Sequence, residues 1–366
     1  MVPIRVHFPG AGAFHQELKR RVNEYFESEK ISERDQGRMY LKSAVIIAWS
    51  VGCWVGLVFL AASWWQALLL GLGLGLGLAG VGFSIQHDAN HGGYSRNGGV
   101  NRLLSWAMDA IGGSSYIWSQ KHNIVHHTYT NVSGVDVDVD VQPFLRLAPD
   151  QEWRPYHRFQ HLYIWVLYAL LPANWHFWAD FRDLVNGHVG GQPFPKPSRA
   201  SLVGTIVGKL FFYGWSLVIP LLLHPTWVVL AMHAFVSLTL GLVLTTVFQL
   251  AHCLEEAEVV TLDSRDATLE TAWAEHQVRT TANFATKNPF LTWYLGGLNF
   301  QIEHHLFPRI CHVHYPAISP IVAECCRDFG IPYHVHETVR SAVASHMRHI
   351  AALARRPDST LSSAGA

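Results

Sequence analysis

Two long stretches of the chain, residues 46–86 and 210–254, contain no charged side chain. A helix needs about 20 apolar residues to cross the hydrocarbon of a bilayer, so each stretch has room for two crossings. The pattern predicts four transmembrane helices at about 43–62, 67–86, 202–223 and 227–250. Ser63-Trp64-Trp65-Gln66 and His224-Pro225-Thr226 mark the turns, the tryptophans at the level of the headgroups. Residues 71–78 alternate Gly and Leu as a strand would, but an unpaired strand in lipid leaves its backbone unsatisfied, so a helix with small residues for close packing is expected. Gly75, Gly77 and Gly80 also fit GxGxxG; inside an apolar run with no βαβ unit around it, this match carries no dinucleotide site. Lys209 falls in the first turns of the third crossing, where its stem is expected to snorkel to the membrane surface.

The remaining segments are polar or mixed. Residues 1–42 form a cytoplasmic N-terminal segment with a surface helix near 16–29, expected to lie against lipid headgroups. Residues 43–340 form the membrane domain, and 341–366 a basic, helical tail whose last ten residues are expected to be disordered. Residues 162–178, rich in Trp and Tyr, read as a segment lying in the interface. Residues 187–198 read as a Gly/Pro-rich linker.

Four crossings return both ends of the chain to one side. Crossings two and four then leave the membrane on that side, with His87 and His252 just past their predicted ends. The two loops on the opposite face carry no Lys or Arg, so the positive-inside rule makes the histidine-bearing face cytoplasmic, in a bacterial inner membrane or, in a eukaryote, the endoplasmic reticulum. Asn131-Val132-Ser133 is then a glycosylation sequon on paper only. The polar, basic start of the chain gives no sign of a cleavable signal peptide.

Composition sharpens this picture. Of 366 residues only 15% are charged, the net charge is zero, and 23 are histidine. Zero net charge gives no support for nucleic-acid binding, whereas imidazole is the commonest metal ligand. Five cysteines, Cys53, Cys253, Cys311, Cys325 and Cys326, without a CxxC pair, fit a reduced compartment and no structural zinc site.

The histidines gather in three clusters, His87-Asp88-Ala89-Asn90-His91, His122-Asn123-Ile124-Val125-His126-His127 and Gln301-Ile302-Glu303-His304-His305, with His252 after the fourth crossing. His87 and His91, like His122 and His126, are four apart, which on an α-helix stacks them on one side. A lone HxxxH is weak evidence; His157 and His161 share it and are read as surface or interface residues without metal. Three clusters on one membrane face are a much stronger signal. So many imidazoles exceed the four ligands of a tetrahedral zinc and suit two ions, which the residues alone leave open among Zn, Cu, Fe and Ni. There is no HExxH protease motif. Asp136, Asp138 and Asp140 are either exposed loop charges or acceptors for the imidazoles. His233 is read as a helix-contact residue, and His312, His314, His334 and His336 are given no role.

HDANH, HNIVHH and QIEHH, in this order and separated by these apolar runs, resemble the three histidine boxes of membrane fatty-acyl desaturases. QIEHHLFP, with Tyr116-Ile117-Trp118 and Asn299-Phe300 before the second and third boxes, resembles the branch of front-end and linoleoyl-CoA desaturase-like proteins, here without the HPGG haem signature of a fused cytochrome b5 domain. The resemblance implies an all-α integral membrane protein whose cytoplasmic helical cap carries a dimetal site. It implies two iron ions held by His87, His91, His122, His126, His127, His304 and His305, with His252 as an additional ligand. Gln301 would bind metal or a metal-bound water, or orient a neighbour; Glu303 and Asp88 would support the ligands from behind. The implied reaction is O₂-dependent insertion of a cis double bond into a fatty acyl chain carried on CoA or on a lipid, with electrons from a separate cytochrome b5 or ferredoxin. A hydroxylase built on the same boxes is the alternative. A non-enzymatic membrane metal or haem carrier is a remote one, because the histidines lie at the edge of the bilayer and not at its midplane.

Overall fold

The computed structural model describes residues 4–10, 12–189 and 192–357. Among the described residues, four helices are long and apolar enough to cross a membrane: Gly37–Leu60, Trp64–Asn90, Arg199–Leu223 and Thr226–His252, here spans one to four. They overlap the four runs predicted from the charge pattern, with ends that differ by a few residues. The clearest difference is the first turn. The break falls at residues 61–63, and Trp64 already opens span two, because the Gln66 side chain accepts from the Ala62 and Ser63 amides at 2.8 and 3.2 Å and closes the helix start.

Span two is the central one, packed against spans one and four. Its glycines make this possible. A Cβ on Gly75 would lie 2.7 Å from Thr239 of span four, and one on Gly77 would lie 2.6 Å from Ser50 Oγ of span one. The Gly-Leu alternation is therefore a packing device of a helix, as small residues in membrane helices generally are. Span two also winds more widely over Gly82–Gln86, a π-helical stretch directly before His87.

On the side where spans two and four end, short helices build a cap. Helix Ala13–Glu29 buries Phe14, Leu18, Val22 and Phe26 against helix Tyr315–Asp328. The N-terminal helix thus rests its apolar stripe on protein, while its arginines and glutamates pair on the outer face. Sheet is minimal: parallel pairs Arg5–His7 with Asp266–Thr268 and Asn283–Phe284 with Val335–His336, and a small hairpin, His188–Val189 with Gln192–Pro193, inside the predicted linker. Helices Gln160–Ala169 and Leu171–Phe177 leave Leu162, Val166, Leu170 and Phe177 exposed, the pattern of helices lying in an interface. The basic tail forms helix Val339–Ala354. The expected disorder of the last ten residues concerns positions that lie, Pro357 apart, outside the described residues.

Two expectations fail because a partner from another segment captures the side chain. Lys209 does not snorkel: only 4% exposed, it donates to Asp180 Oδ2 at 2.7 Å and to the Gly112 and Trp175 carbonyls. His157 is buried, with Nε2 2.9 Å from the Pro143 carbonyl and Nδ1 accepting from the Arg154 amide. His312 and His314 are buried as well, and His312 holds Asp88. All five cysteines are free.

Candidate metal centre

The fold brings the three histidine clusters and His252 into one buried constellation. His87 and His91 close the cap end of span two, with ring centroids 4.9 Å apart. His252 is the last residue of span four. His304 and His305 sit on helix Gln301–Leu306, all of whose residues are buried.

The second cluster is wound differently from the α-helix its spacing suggests. Residues Ser119–His126 are π-helical, and the His127 amide donates to the His122 carbonyl at 3.0 Å. This i→i+5 winding brings His122 and His127 side by side, their Nε2 atoms 3.2 Å apart, and turns His126 toward His252 and His305. One run of six residues can thereby serve two neighbouring groups.

The donor atoms fall into overlapping sets, each with its nitrogens mutually within 4.8 Å: His87, His91, His122 and His304; His126, His252 and His305; and His127, His304 and His305. Several close pairs are Nε2 to Nε2: His87–His122 at 3.2 Å and His127–His304 at 3.0 Å. Donors about 2.0–2.1 Å from a shared ion sit roughly 3 Å from one another, so these spacings are those of ligands. The Nε2 atoms of His91 and His126 are buried without a hydrogen-bond partner. Burial, reinforced by the neighbouring imidazoles, holds His91, His122, His127, His304 and His305 well below the ordinary histidine pKa. The rings are therefore neutral, the form that binds metal. On donor type, burial and spacing, the residues fit a pair of metal ions.

Other side chains orient these rings. His126 Nδ1 donates to Asp136 Oδ2 at 2.9 Å, which fixes the tautomer and leaves Nε2 as the donor facing inward. His305 Nδ1 lies 2.8 Å from Gln277 Oε1, and His304 Nδ1 lies 3.2 Å from the Tyr315 hydroxyl. Of the three acids left open in the sequence, Asp136 is the buried acceptor. Asp138 pairs with Lys121 at 2.6 Å, and Asp140 is exposed. Gln301 stands inside the constellation, its Nε2 3.0 Å from His252 Nε2 and 3.3 Å from His305 Nε2.

Glu303 and Asp88 take other partners than a cluster histidine. Glu303 accepts from Asn283 and Tyr333, and Asp88 accepts from His312, whose Nε2 lies 2.8 Å from Lys42 Nζ. Sequence reasoning missed Gln277, Tyr315 and His312; nothing in their local sequence marks them. Asn131, the asparagine of the apparent sequon, is fully buried and donates to the carbonyls of His252, Glu258 and Thr280. Toward the membrane, the site is walled by Trp118, stacked on His122 at 4.3 Å, and by Phe248, 5.1 Å from His126.

Comparison with known proteins agrees with this geometry. The chain is 42% identical over 357 residues to the sn-1 linoleoyl-lipid 6-desaturase of Arthrospira platensis, covering 97% of this chain and 96% of that one. It is 39% identical to the protein of the same name from Synechocystis sp., covering 96% and 98%. It is 35% identical to the acyl-lipid (8-3)-desaturase of Physcomitrium patens, covering 92% of this chain and 71% of that one. The profile of the fatty acid desaturase family matches residues 62–337, from the turn before span two to beyond the third histidine cluster. With the membrane helices, the buried imidazole groups and these relatives in agreement, the carrier reading loses its footing, and the chain belongs to the fatty acid desaturases, membrane oxidoreductases that introduce double bonds into fatty acyl chains.

Proposed function

We propose that this protein inserts a cis double bond at carbon 6 of an unsaturated acyl chain esterified to a membrane lipid, using a diiron centre and O₂. The observation that carries the reading is the pair of adjoining buried imidazole groups at the cap ends of spans two and four. His87, His91 and His122 would hold one iron and His126, His252 and His305 the other, with His127 and His304 between them. The lipid carrier and the position follow the names of the two relatives that match over nearly their whole length.

When bound, the irons supply the redox chemistry by which O₂ accepts the hydrogens of two adjacent methylenes. The balance is simple. The acyl chain gives up two hydrogens, an external carrier supplies two electrons with two protons, and O₂ leaves as two waters. That carrier, of the cytochrome b5 or ferredoxin type, would dock on the cap. The absence of Lys and Arg from the loops at 61–63 and 224–225 supports, by the positive-inside rule, a cap on the cytoplasmic side.

The protein's own residues position the chain and keep water out. Trp118 and Phe248 present apolar faces beside the imidazoles, so an unreactive methylene can be held close while bulk water is excluded. Asp136, Gln277 and Tyr315 keep the rings in place before the ions bind. The test is expression in a host lacking the activity, with mass spectrometry of its fatty-acid methyl esters. A new alkene at carbon 6 in lipid-bound chains supports the reading. Its absence from a preparation containing two irons per chain overturns it.

A further inference from the structure

Two loops that follow histidine clusters meet the entry to span one on one face of the cap. The Cys311 amide donates to the Glu33 carbonyl at 2.9 Å, and the Asp35 amide to the Tyr94 carbonyl at 3.0 Å. Segments 33–38, 94–97 and 308–313 are therefore stitched together. The first leads into span one, the second follows His91 and the third follows His305. Gly93 shows how close the last two come, since a Cβ on it would lie 3.0 Å from the Pro308 carbonyl oxygen and 3.3 Å from the Arg309 carbonyl carbon. Arg34, Arg38, Arg96 and Arg309 rise from these three segments; Arg34 is half-buried and the others are exposed.

The four guanidinium groups are left without an acid. Arg34 Nε donates to the Arg309 carbonyl at 2.9 Å, and an Arg38 terminal nitrogen donates to the Val313 carbonyl at 3.1 Å. These bonds fix the side chains and do not neutralise them. Elsewhere on the cap arginines are matched by carboxylates: Arg20 and Arg21 by Glu17, Arg279 by Glu258 and Glu275, and Arg348 by Glu255. Of the two acids on the three segments, Asp35 turns its carboxylate to the Arg96 amide and to the Ser95 and Tyr40 hydroxyls. Glu33 is the other. Four cations against two anions make this a positive face, and a guanidinium is suited to carboxylate partners.

The same face is tied by backbone to the metal centre. Arg309 is four residues beyond His305, Arg96 is five beyond His91, and the charge of Arg309 is felt at the His91 ring. The bilayer begins on the other side of these residues. Tyr40, Leu41 and Val45 are the first exposed apolar side chains of span one, so Arg38, in its first turn, stands at headgroup level. Arg34 precedes span one, and Arg96 and Arg309 lie past the cap end of span two, on the aqueous side. Arginines that serve only anionic headgroups would gather at the span ends; three of these four stand away from them and beside the histidine loops.

We propose that Arg34, Arg38, Arg96 and Arg309 form the docking face for the electron donor, a soluble one-electron carrier with an acidic surface around its redox group. This rests on the reading of the protein as a diiron desaturase. Each turnover takes two electrons, so two carriers dock in succession and each leaves oxidised by one electron. The pair of electrons reduces the two irons from ferric to ferrous. Complementary charge speeds the encounter and fixes its orientation, so the carrier's redox group is turned toward the loops behind His91 and His305.

The test uses the full-length, iron-loaded protein in phosphatidylcholine nanodiscs, which carry no anionic lipid, with an acidic plant-type ferredoxin as the probe. Arg96 and Arg309 engage the other two segments through backbone atoms, so their side chains can be changed without breaking those bonds. The double variant Arg96→Glu, Arg309→Glu should weaken ferredoxin binding and slow reduction of the irons by reduced ferredoxin, each about tenfold or more at low salt. The difference should close in about 1 M salt, where the Debye length is about 3 Å. Complete reduction by dithionite, which needs no docking, should be retained, and Arg340→Glu on the tail helix should match the parent throughout. If the double variant does not accumulate, Arg96→Gln decides, with an expected slowing of about threefold. Unchanged binding and rate overturn the proposal. So does a loss that persists in 1 M salt or extends to dithionite, the result expected if the arginines only hold headgroups or loops in place. If the parent protein, reduced by dithionite and given O₂ and lipid-bound linoleoyl chains, makes no alkene, the desaturase reading falls instead, and the ferredoxin rates still judge the docking face.

Discussion

His126 Nδ1 and Asp136 Oδ2 lie 2.9 Å apart with neither side chain exposed to solvent. Burial disfavours the charged imidazole, but the Asp136 and Asp138 carboxylates together outweigh it, and His126 is the cluster histidine whose pKa is raised. The same oxygen accepts from the Asn131 amide at 2.9 Å, so one carboxylate ties the second histidine cluster to the loop that follows it. Asp136→Ala should leave a protein that folds but holds iron about 10–100-fold less tightly, with the loss concentrated at the ion near His126. Iron content after dialysis against a graded chelator series measures this; unchanged retention would show that the carboxylate does not orient the ring.

Lys209 and Asp180 form a buried pair inside the membrane-facing part of the fold. Removing one partner strands the other charge, at a cost of about 3–5 kcal/mol. Lys209→Met alone should therefore lower thermal stability in detergent sharply, and Lys209→Met with Asp180→Leu should recover most of it. The double variant will still lack the bonds from Lys209 to the Gly112 and Trp175 carbonyls, so recovery should be incomplete.

Much of this architecture could be read from residue order, and the reasons differ element by element. The spans were legible because charge is excluded from lipid, which leaves long clean runs such as 46–86. The metal donors were legible because histidine at close spacing has few other uses. What failed were inferences that depend on who lies opposite. Lys209 looks like any lysine near a helix end until Asp180, on a separate helix, is placed beside it. Asp136, Asp138 and Asp140 are indistinguishable in a Val-Asp repeat, yet the fold buries the first, pairs the second and exposes the third. The π-winding of Ser119–His126, which decides that His122 pairs with His127, leaves no trace in an HxxxHH pattern.

Asp109 offers a pH test away from the metal. It is buried against span three, where a Cβ on Gly208 would lie 2.6 Å from its own Cβ, and burial raises its pKa to about 6. In the unfolded chain the carboxyl releases its proton near pH 3.9, whereas the folded protein keeps it until about 6. Between those values the unfolded state binds fewer protons, so stability falls as pH rises through this window and is flat above it. Asp109→Asn removes the penalty. The variant should be more stable than the parent by up to about 2–3 kcal/mol above pH 6, with the gain vanishing near pH 4. Paired melting curves at pH 4 and pH 7 check the sign.

Gly75 and Gly52 give a matched comparison within the bilayer. A Cβ at Gly75 runs into Thr239 at 2.7 Å, while one at Gly52 meets nothing within 4 Å. Gly75→Ala should push spans two and four apart and cost about 1–3 kcal/mol. Since His87 and His252 ride on the ends of those two helices, it should also lower metal content. Gly52→Ala should change neither property. Equal effects from the two variants would mean that close packing of spans two and four does not set the distance between the histidine groups.

Gln301 is the residue whose role the constellation defines most sharply. Its amide nitrogen faces the Nε2 atoms of His252 and His305, two of the three donors around the second proposed iron. Amide oxygen and nitrogen exchange places by a half-turn of the side chain, so the oxygen can occupy the same position as an additional donor. Gln301→Ala leaves His87, His91 and His122 untouched and removes a polar group only from the second set. Iron should then fall from two per chain toward one, with alkene formation lost. Gln301→Glu presents a carboxylate oxygen in the same place and should restore the second iron more fully than Gln301→Leu, which matches the size without the donor. If Gln301→Leu retained both irons, the amide would be a packing residue, and the second ion would depend on its imidazoles alone.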